Sequence, residues 1–233
     1  MSLNLITSSP LFGFTLTIAV MLFYQFIFRG TKTSLLNPVL FSIFSIIAIL
    51  MLTGIPYEHY HKGASILSFF LGPMIVALAV PLYKQFDKLK ANALPILAGI
   101  SVGVVVSISS GILLSQLFGL SREVIVSMAP KGTTSAISMN LSQIQGGDVS
   151  MTVTFVNIAG IFGYMVATKV YQLLNITSPV AKGIGLGTSS HALGTRRALE
   201  MGEEEGAMSS LAIGVAGVLT TVFTPLLLSL FGI

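Results

Sequence analysis

Six stretches of this 233-residue chain, 11–28, 38–56, 64–83, 91–121, 149–168 and 207–233, contain no acidic or basic residue. All of the 12 Lys and Arg and all 8 Asp and Glu fall between or beside them. A helix that crosses hydrocarbon needs about 20 mainly apolar residues, and each stretch approaches that length. A water-soluble domain of this size carries about 25% charged residues; this chain has 9%, with a mean hydropathy of +0.90. The fold class expected is therefore all-α and integral to a membrane, with about six full transmembrane helices in a single domain spanning 1–233. Residues 1–63 supply the N-terminal helices and 64–233 the core.

Charge placement sets orientation. The loop holding Arg29 and Lys32 and the loop at 84–92, with Lys84, Lys88 and Lys90, are separated by two spans and so share a side. Basic loops face the cytoplasm, which puts the N-terminus outside a cell or inner membrane. No basic n-region or A-x-A site precedes the first apolar run, so that run is expected to stay in the mature chain. The net charge of +4 is scattered, which argues against nucleic-acid binding. Cysteine is absent, and no metal or cofactor site is expected, because no cluster of ligand-type residues appears. His59 and His61, in PYEHYHKG, lack a third ligand nearby and are expected in a solvated loop. Gly72-Pro73 and Pro81 are expected to kink the third span.

Two regions fit neither span nor loop. SREVIVSMAPKGTTSAISMNLSQIQGGD (121–148) and TSPVAKGIGLGTSSHALGTRRALEMGEEEG (177–206) are too polar for one and too apolar for the other. Shifted by 55 positions, Gly132-Thr133-Thr134-Ser135 falls on Gly187-Thr188-Ser189-Ser190, Gly147 on Gly202 and Asp148 on Glu203. The chain thus contains an internal repeat, with units at about 121–174 and 177–230. Each unit reads as a short helix, a Gly/Thr/Ser break and a second short helix. From Ser190 to Met201 a helix runs only about 18 Å, half a bilayer. Such elements either span as broken helices or enter and return as hairpins. Hairpins on either side of one span enter from opposite faces, giving an inverted repeat. That choice also leaves Lys169, Lys182, Arg196 and Arg197 cytoplasmic.

Irregular backbone at membrane depth survives only where protein or a watery cavity surrounds it. A helix that restarts after a break offers free N–H groups and partial positive charge, which suits an anion. The breaks near Gly132 and Gly187 are expected within about 10 Å of each other near the membrane centre, their hydroxyls capping the restarting helices. Candidate binding residues are Thr133, Thr134, Ser135, Thr188, Ser189 and Ser190, with Asn140 and Asn157 as further polar groups at depth. His191, an intramembrane histidine, is a candidate for binding and proton coupling, against the plainer reading of a packing histidine bonded to a carbonyl. Lys131 can meet an anion directly or snorkel. Arg196 and Arg197 can steer one, although the i, i+4 spacing of Arg196 and Glu200 equally suits an ion pair. Glu203, Glu204 and Glu205 suit the start of the last span. The Gly and Ser residues of 99–111 read as a helix-packing face.

From about residue 64 onward the sequence resembles the LrgB/CidB family. The resemblance is carried by LGPMIVALAVPLYK (71–84), APKGTTSAI (129–137) and above all GTSSHALGTRRALEMGEEEGAMSSLA (187–212). The second stretch departs from the usual PKSVTTP-type pattern by Gly132 before the threonines and Ser135 in place of proline. The resemblance implies one of two functions. One is carriage of small monocarboxylates (pyruvate, acetate, glycolate or glycerate). The other is antiholin-like control of murein hydrolases and cell lysis, exerted through a small LrgA/CidA-type membrane partner. Carriage fits the duplicated break, and enzymatic activity is not expected. A homodimer is expected by analogy with other carriers.

Overall fold

A computed structural model of the chain describes residues 7–29, 37–70, 79–84 and 86–233, together with Pro73 and Val76. The described elements are all helical: α1 (Pro10–Ile27), α2 (Pro38–Thr53), α3 (Tyr57–Ser68), α4 (Ala79–Lys84), α5 (Phe86–Ala91), α6 (Ala93–Leu117), α7 (Arg122–Met128), α8 (Ser135–Gln145), α9 (Val149–Leu173), α10 (Pro179–Met201) and α11 (Glu203–Leu230). Four of them, α1, α6, α9 and α11, are long and apolar enough to cross a membrane. The protein is an all-α, multi-pass membrane protein.

Local chemistry explains the boundaries. Proline opens α1, α2 and α10, where its missing N–H costs nothing, and Ser9, Asn37 and Ser178 cap them. Gly54 ends α2 in the left-handed conformation at φ 65°, which a side chain would strain. The Asp148 carboxylate accepts from Met151 N–H at 2.7 Å and caps α9. Glu203, Glu204 and Glu205 form the first turn of α11, against the positive end of its dipole, as expected.

Three expectations are corrected. PYEHYHKG is not a loop: Tyr57 to Gly63 are the first turns of α3, so the helix starts ahead of the apolar run. Proline at the N-cap and Glu58 in the first turn give that start its signal. The 84–92 segment contains helix α5 rather than an irregular loop. The 38–56 span is a 16-residue helix, stopped short by Gly54. Much of the third span, Gly72 of its expected kink included, lies outside the described residues.

The chain forms two compact units, Met1–Ala77 and Leu78–Ile233. In the first, α1 and α3 touch backbone to backbone, with Gly13 against the Tyr60 carbonyl and Gly63 against that of Pro10. Thr17 and Tyr60 pair their hydroxyls at 3.0 Å, and Tyr24 pairs with Ser45 at 2.6 Å to join α1 to α2.

The second unit is built on α6. Ile96, Ile100, Val104, Ile108 and Ile112 recur every four residues and are all buried. This stripe packs on Ile125 and Val126 of α7 and on Met208, Ala212 and Ala216 of α11. A neighbouring stripe, Gly103, Ser107 and Gly111, has the same spacing and faces Thr188 and Lys131 instead. Lys84 of α4 pairs with Glu203 of α11 at 3.0 Å, so the end of α4 and the start of α11 lie at the same end of the unit.

Candidate functional site

The two polar regions fold as helical hairpins. In the first, α7 runs in, residues 129–134 turn, and α8 runs back. Its base is closed by Arg122 donating to the Gln145 carbonyl at 3.2 Å and by Asp148 N–H donating to Ser127 Oγ at 2.8 Å. Its tip is tied by the Ser138 hydroxyl, which donates to the Pro130 carbonyl at 2.7 Å.

The second hairpin is α10 itself. At His191 the backbone leaves the helix, with φ 41° and ψ −131°, and the chain reverses. Eight residues span roughly 12 Å in a straight helix, yet Gly194 lies directly against the Leu186 carbonyl, and Ala198 shares a buried cluster with Leu186 and Ala167. The arms are therefore 179–190 and 192–201. A non-glycine residue at positive φ holds about 1–3 kcal/mol of strain. Here the His191 ring lies against Gly160, and its Nε2 is 2.9 Å from the Val156 carbonyl, so α9 holds the turn in place.

This moves the second break. Gly187, Thr188, Ser189 and Ser190 are helical and close the first arm, whereas a break was expected at Gly187 with the hydroxyls capping the second arm. The physical reason lies in packing. Gly187 is small because the Ser209 carbonyl and Ala212 Cβ of α11 press against it, not because the chain turns there. The Ser189 hydroxyl donates back to the Gly185 carbonyl at 2.7 Å, a bond made inside a helix. In the first hairpin the break falls where expected, and Ser135 starts α8. Thr134 takes the N-cap position with ψ 148°, but no side chain caps the helix.

The bases lie at opposite ends of α9. Thr152, near its start, donates to Ser142 of α8 at 2.7 Å, while the Tyr171 hydroxyl, near its end, donates to the Lys182 carbonyl at 2.8 Å. The tips therefore meet beside the middles of the long helices. A Cβ on Gly132 would stand 3.3 Å from the Thr188 carbonyl and 2.8 Å from Ser107 Oγ. Ser190 fits against Gly163 of α9, and Thr188 against Gly103 of α6. Thr133 Oγ1 would lie 3.6 Å from a Cβ on Gly217 of α11. Thr133 and Thr188 are both buried, and neither hydroxyl has a hydrogen-bond partner.

Between α6, α9 and the two tips lies a cavity of about 570 Å³. Lys131, Ser107, Ser189 and Ser190 supply its polar side, and Phe155, Ile158 and Phe162 of α9 its apolar side. Lys131 Nζ donates to the Ser107 carbonyl at 2.8 Å. Thr133, Thr188 and His191 stand behind this cavity rather than on its wall, and Asn140 and Asn157 do not line it. The exposed Asn140 donates to the Ala136 carbonyl at 3.0 Å within its own helix.

The arginines belong to the base of the second hairpin. Glu200 pairs with Arg196 at 3.5 Å and with Arg197 at 3.0 Å, and accepts from the Tyr164 hydroxyl at 2.9 and 2.8 Å. Arg197 also donates to Thr168 at 2.6 Å. Sequence reasoning missed Tyr164 and Thr168, and read Gly103 and Ser107 only as part of a helix-packing face. The i, i+4, i+8 spacing of Gly103, Ser107 and Gly111 was a signal for a face that receives something other than core.

Residues 17–230 match the LrgB-like family. The chain belongs to that family. It is 38% identical to YxaC of Bacillus subtilis, over 94% of this chain and 95% of that one. It is 37% identical to the antiholin-like protein LrgB of B. subtilis, over 97% and 98%. With the holin-like protein CidB of Staphylococcus aureus it shares 35% identity over 93% and 94%. No solved structure matches this LrgB-like chain.

Proposed function

We propose that this protein is an antiholin-like membrane regulator that controls murein hydrolase activity and lysis through a small LrgA/CidA-type partner. The support is the naming of relatives over nearly their whole length: one is antiholin-like, another holin-like. The test is a host lacking its own copies, in which the protein is expressed with and without the companion. The expected result is a change in hydrolase zymograms and lysis rate that requires both proteins. Identical curves with and without the pair overturn this reading.

One observation favours a second reading, carriage of small monocarboxylates. Two buried hydroxyls, Thr133 and Thr188, have no partner where two half-length hairpins cross. Buried polar groups are normally paired; in this reading the tips part during transport, and a solute then reaches both hydroxyls. In this reading the hairpins are re-entrant and form an inverted repeat among six spans. The N-terminus faces outward, His191 carries a proton, and the chain works as a dimer. The test is counterflow of labelled pyruvate, acetate, glycolate and glycerate into proteoliposomes holding this protein alone. Absence of counterflow for all four, with the protein inserted and folded, sinks the carrier reading and leaves the regulator.

A further inference from the structure

We propose that a second cavity, at the base of the second hairpin, seats the zwitterionic headgroup of a phospholipid, with Lys182 and Arg197 on its phosphate and Glu205 on its ammonium. The site is separate from the crossing of the tips, and it stands under the regulator and the carrier reading alike.

This cavity, of about 510 Å³, opens between the last turns of α9, the connection 174–178, both arms of α10 and the start of α11. Lys182 lines it from the first arm, Arg197 from the second and Glu205 from α11. Lys182 and Glu205 are half-buried and of opposite charge, yet no ion pair joins them. Among the described residues neither side chain has a hydrogen-bond partner. A cation and a carboxylate held apart on one wall match a ligand that carries both charges. Arg197 spends three N–H groups on Thr168 and Glu200. A guanidinium has five, so two remain for the phosphate beside Lys182.

Position selects a lipid over a soluble zwitterion. The 25 residues of α9 make a helix about 37 Å long, against about 30 Å of hydrocarbon, so its ends reach the headgroup layer. Leu173 and Leu174 stand between the lining residues Gln172 and Asn175 and are 81% and 62% exposed. Apolar surface therefore borders a polar cavity at headgroup depth, which suits acyl chains outside and a phosphate with its ammonium inside. An ethanolamine ammonium has three N–H donors for the Glu205 carboxylate, whereas a choline nitrogen has none. At equal net charge the site thus selects phosphatidylethanolamine over phosphatidylcholine. Phosphatidylglycerol carries no cation and leaves Glu205 unpaired. Once seated, the headgroup joins α9 to both arms of the hairpin and to α11.

The experiment titrates the purified full chain in detergent with dioleoyl phosphatidylethanolamine, phosphatidylcholine and phosphatidylglycerol, and counts retained lipid by native mass spectrometry. Phosphatidylethanolamine is expected to be held most tightly of the three. Free phosphoethanolamine has no chains to bury and should bind at least about tenfold more weakly, read by thermal shift. Lys182→Gln keeps a donor but loses the charge, so retention of phosphatidylethanolamine should fall about tenfold. Lys182→Arg should restore it to within a few-fold of the parent. Glu205→Gln should bring phosphatidylethanolamine down to the level of phosphatidylcholine and leave phosphatidylcholine unchanged, a split that a merely structural role for Glu205 would not produce. Lys169→Gln is the control, because Lys169 is exposed at the same end of α9 but does not line the cavity; it should bind as the parent does. Equal retention of the three lipids by the parent overturns the proposal, as does tighter binding of phosphatidylglycerol. Undiminished binding in Lys182→Gln, or an equal loss in Lys169→Gln, overturns it too. Free phosphoethanolamine binding as tightly as the lipid shows a site for a soluble zwitterion and sinks the lipid assignment.

Discussion

Replacing Gly163 by alanine tests whether the second hairpin tip is seated on α9. A Cβ at 163 would overlap the Ser190 hydroxyl and stand 2.8 Å from Ser190 Cβ. The hydroxyl can rotate away, but Ser190 Cβ cannot, because it is fixed to backbone one residue before the strained turn at His191. Forcing a methyl into a filled site costs about 1–3 kcal/mol, against a helix-propensity gain of up to about 1 kcal/mol for Gly→Ala. The net expectation is a loss of about 1–2 kcal/mol, which lowers the apparent Tm of a chain this size by roughly 2–8 °C. Gly214→Ala on α11 is the matched control, since nothing lies within 4 Å of a Cβ there. Only the propensity gain remains, and its Tm should rise. Ser190→Gly in the Gly163→Ala background removes the opposing Cβ and should recover most of the loss, a coupling of about 1 kcal/mol or more in the double-mutant cycle. The assay is thermal unfolding of purified protein followed by intrinsic tyrosine fluorescence or light scattering. If Gly163→Ala raises the Tm as Gly214→Ala does, Ser190 is not seated on α9 and the crossing of the tips is misplaced.

Thr133→Val and Thr188→Val each remove a buried hydroxyl that has no partner. In ligand-free protein the apparent Tm should hold or rise, because an unsatisfied buried polar group costs about 1–3 kcal/mol; a fall of several degrees would show that the hydroxyls are satisfied by the protein. Tyr164→Phe takes the phenol from Glu200 and should cost about 1 kcal/mol, since the carboxylate keeps both arginines; an unchanged Tm means that the link between α9 and the second arm contributes nothing. The chain has no cysteine, so Lys84→Cys and Glu203→Cys can be labelled singly in intact cells. Both should react from one and the same side, given their 3.0 Å ion pair, and reaction from opposite sides would break the arrangement of α4 against α11.

Much of the fold was legible because charge and apolarity act over whole helices. The positions of α1, α6, α9 and α11 follow from the charge-free runs, and the starts of α1 and α9 from the Ser9 and Asp148 caps, which act locally. Errors fell where a helix carried polar residues. Tyr57 to Gly63 hold two histidines, a lysine and a glutamate, so hydropathy reads them as solvated loop. Helix propensity and the exposed end of an otherwise apolar helix let the backbone continue through them. The same blindness applied to α5, a single charged turn and a half between two other helices.

The site was legible as a duplication but not in its details, because glycine, serine and threonine each have two uses that sequence alone does not separate. Gly132 sits in a turn and is pressed by Ser107; Gly187 sits in a helix and is pressed by α11. Both are small for close approach, but only one marks a break, so aligning them placed the second turn four residues too early. The hydroxyls divide the same way. Thr134 ends an irregular segment and takes the N-cap position, whereas Ser189 bonds back into its own helix. What fixed the true turn was His191, and the support it needs is remote in sequence. Gly160 and the Val156 carbonyl lie more than thirty residues earlier on α9. A histidine at positive φ is stable only where tertiary contacts outweigh its local cost. The break is therefore a property of the packed hairpin against α9, and the residues at the turn carry only half of its cause.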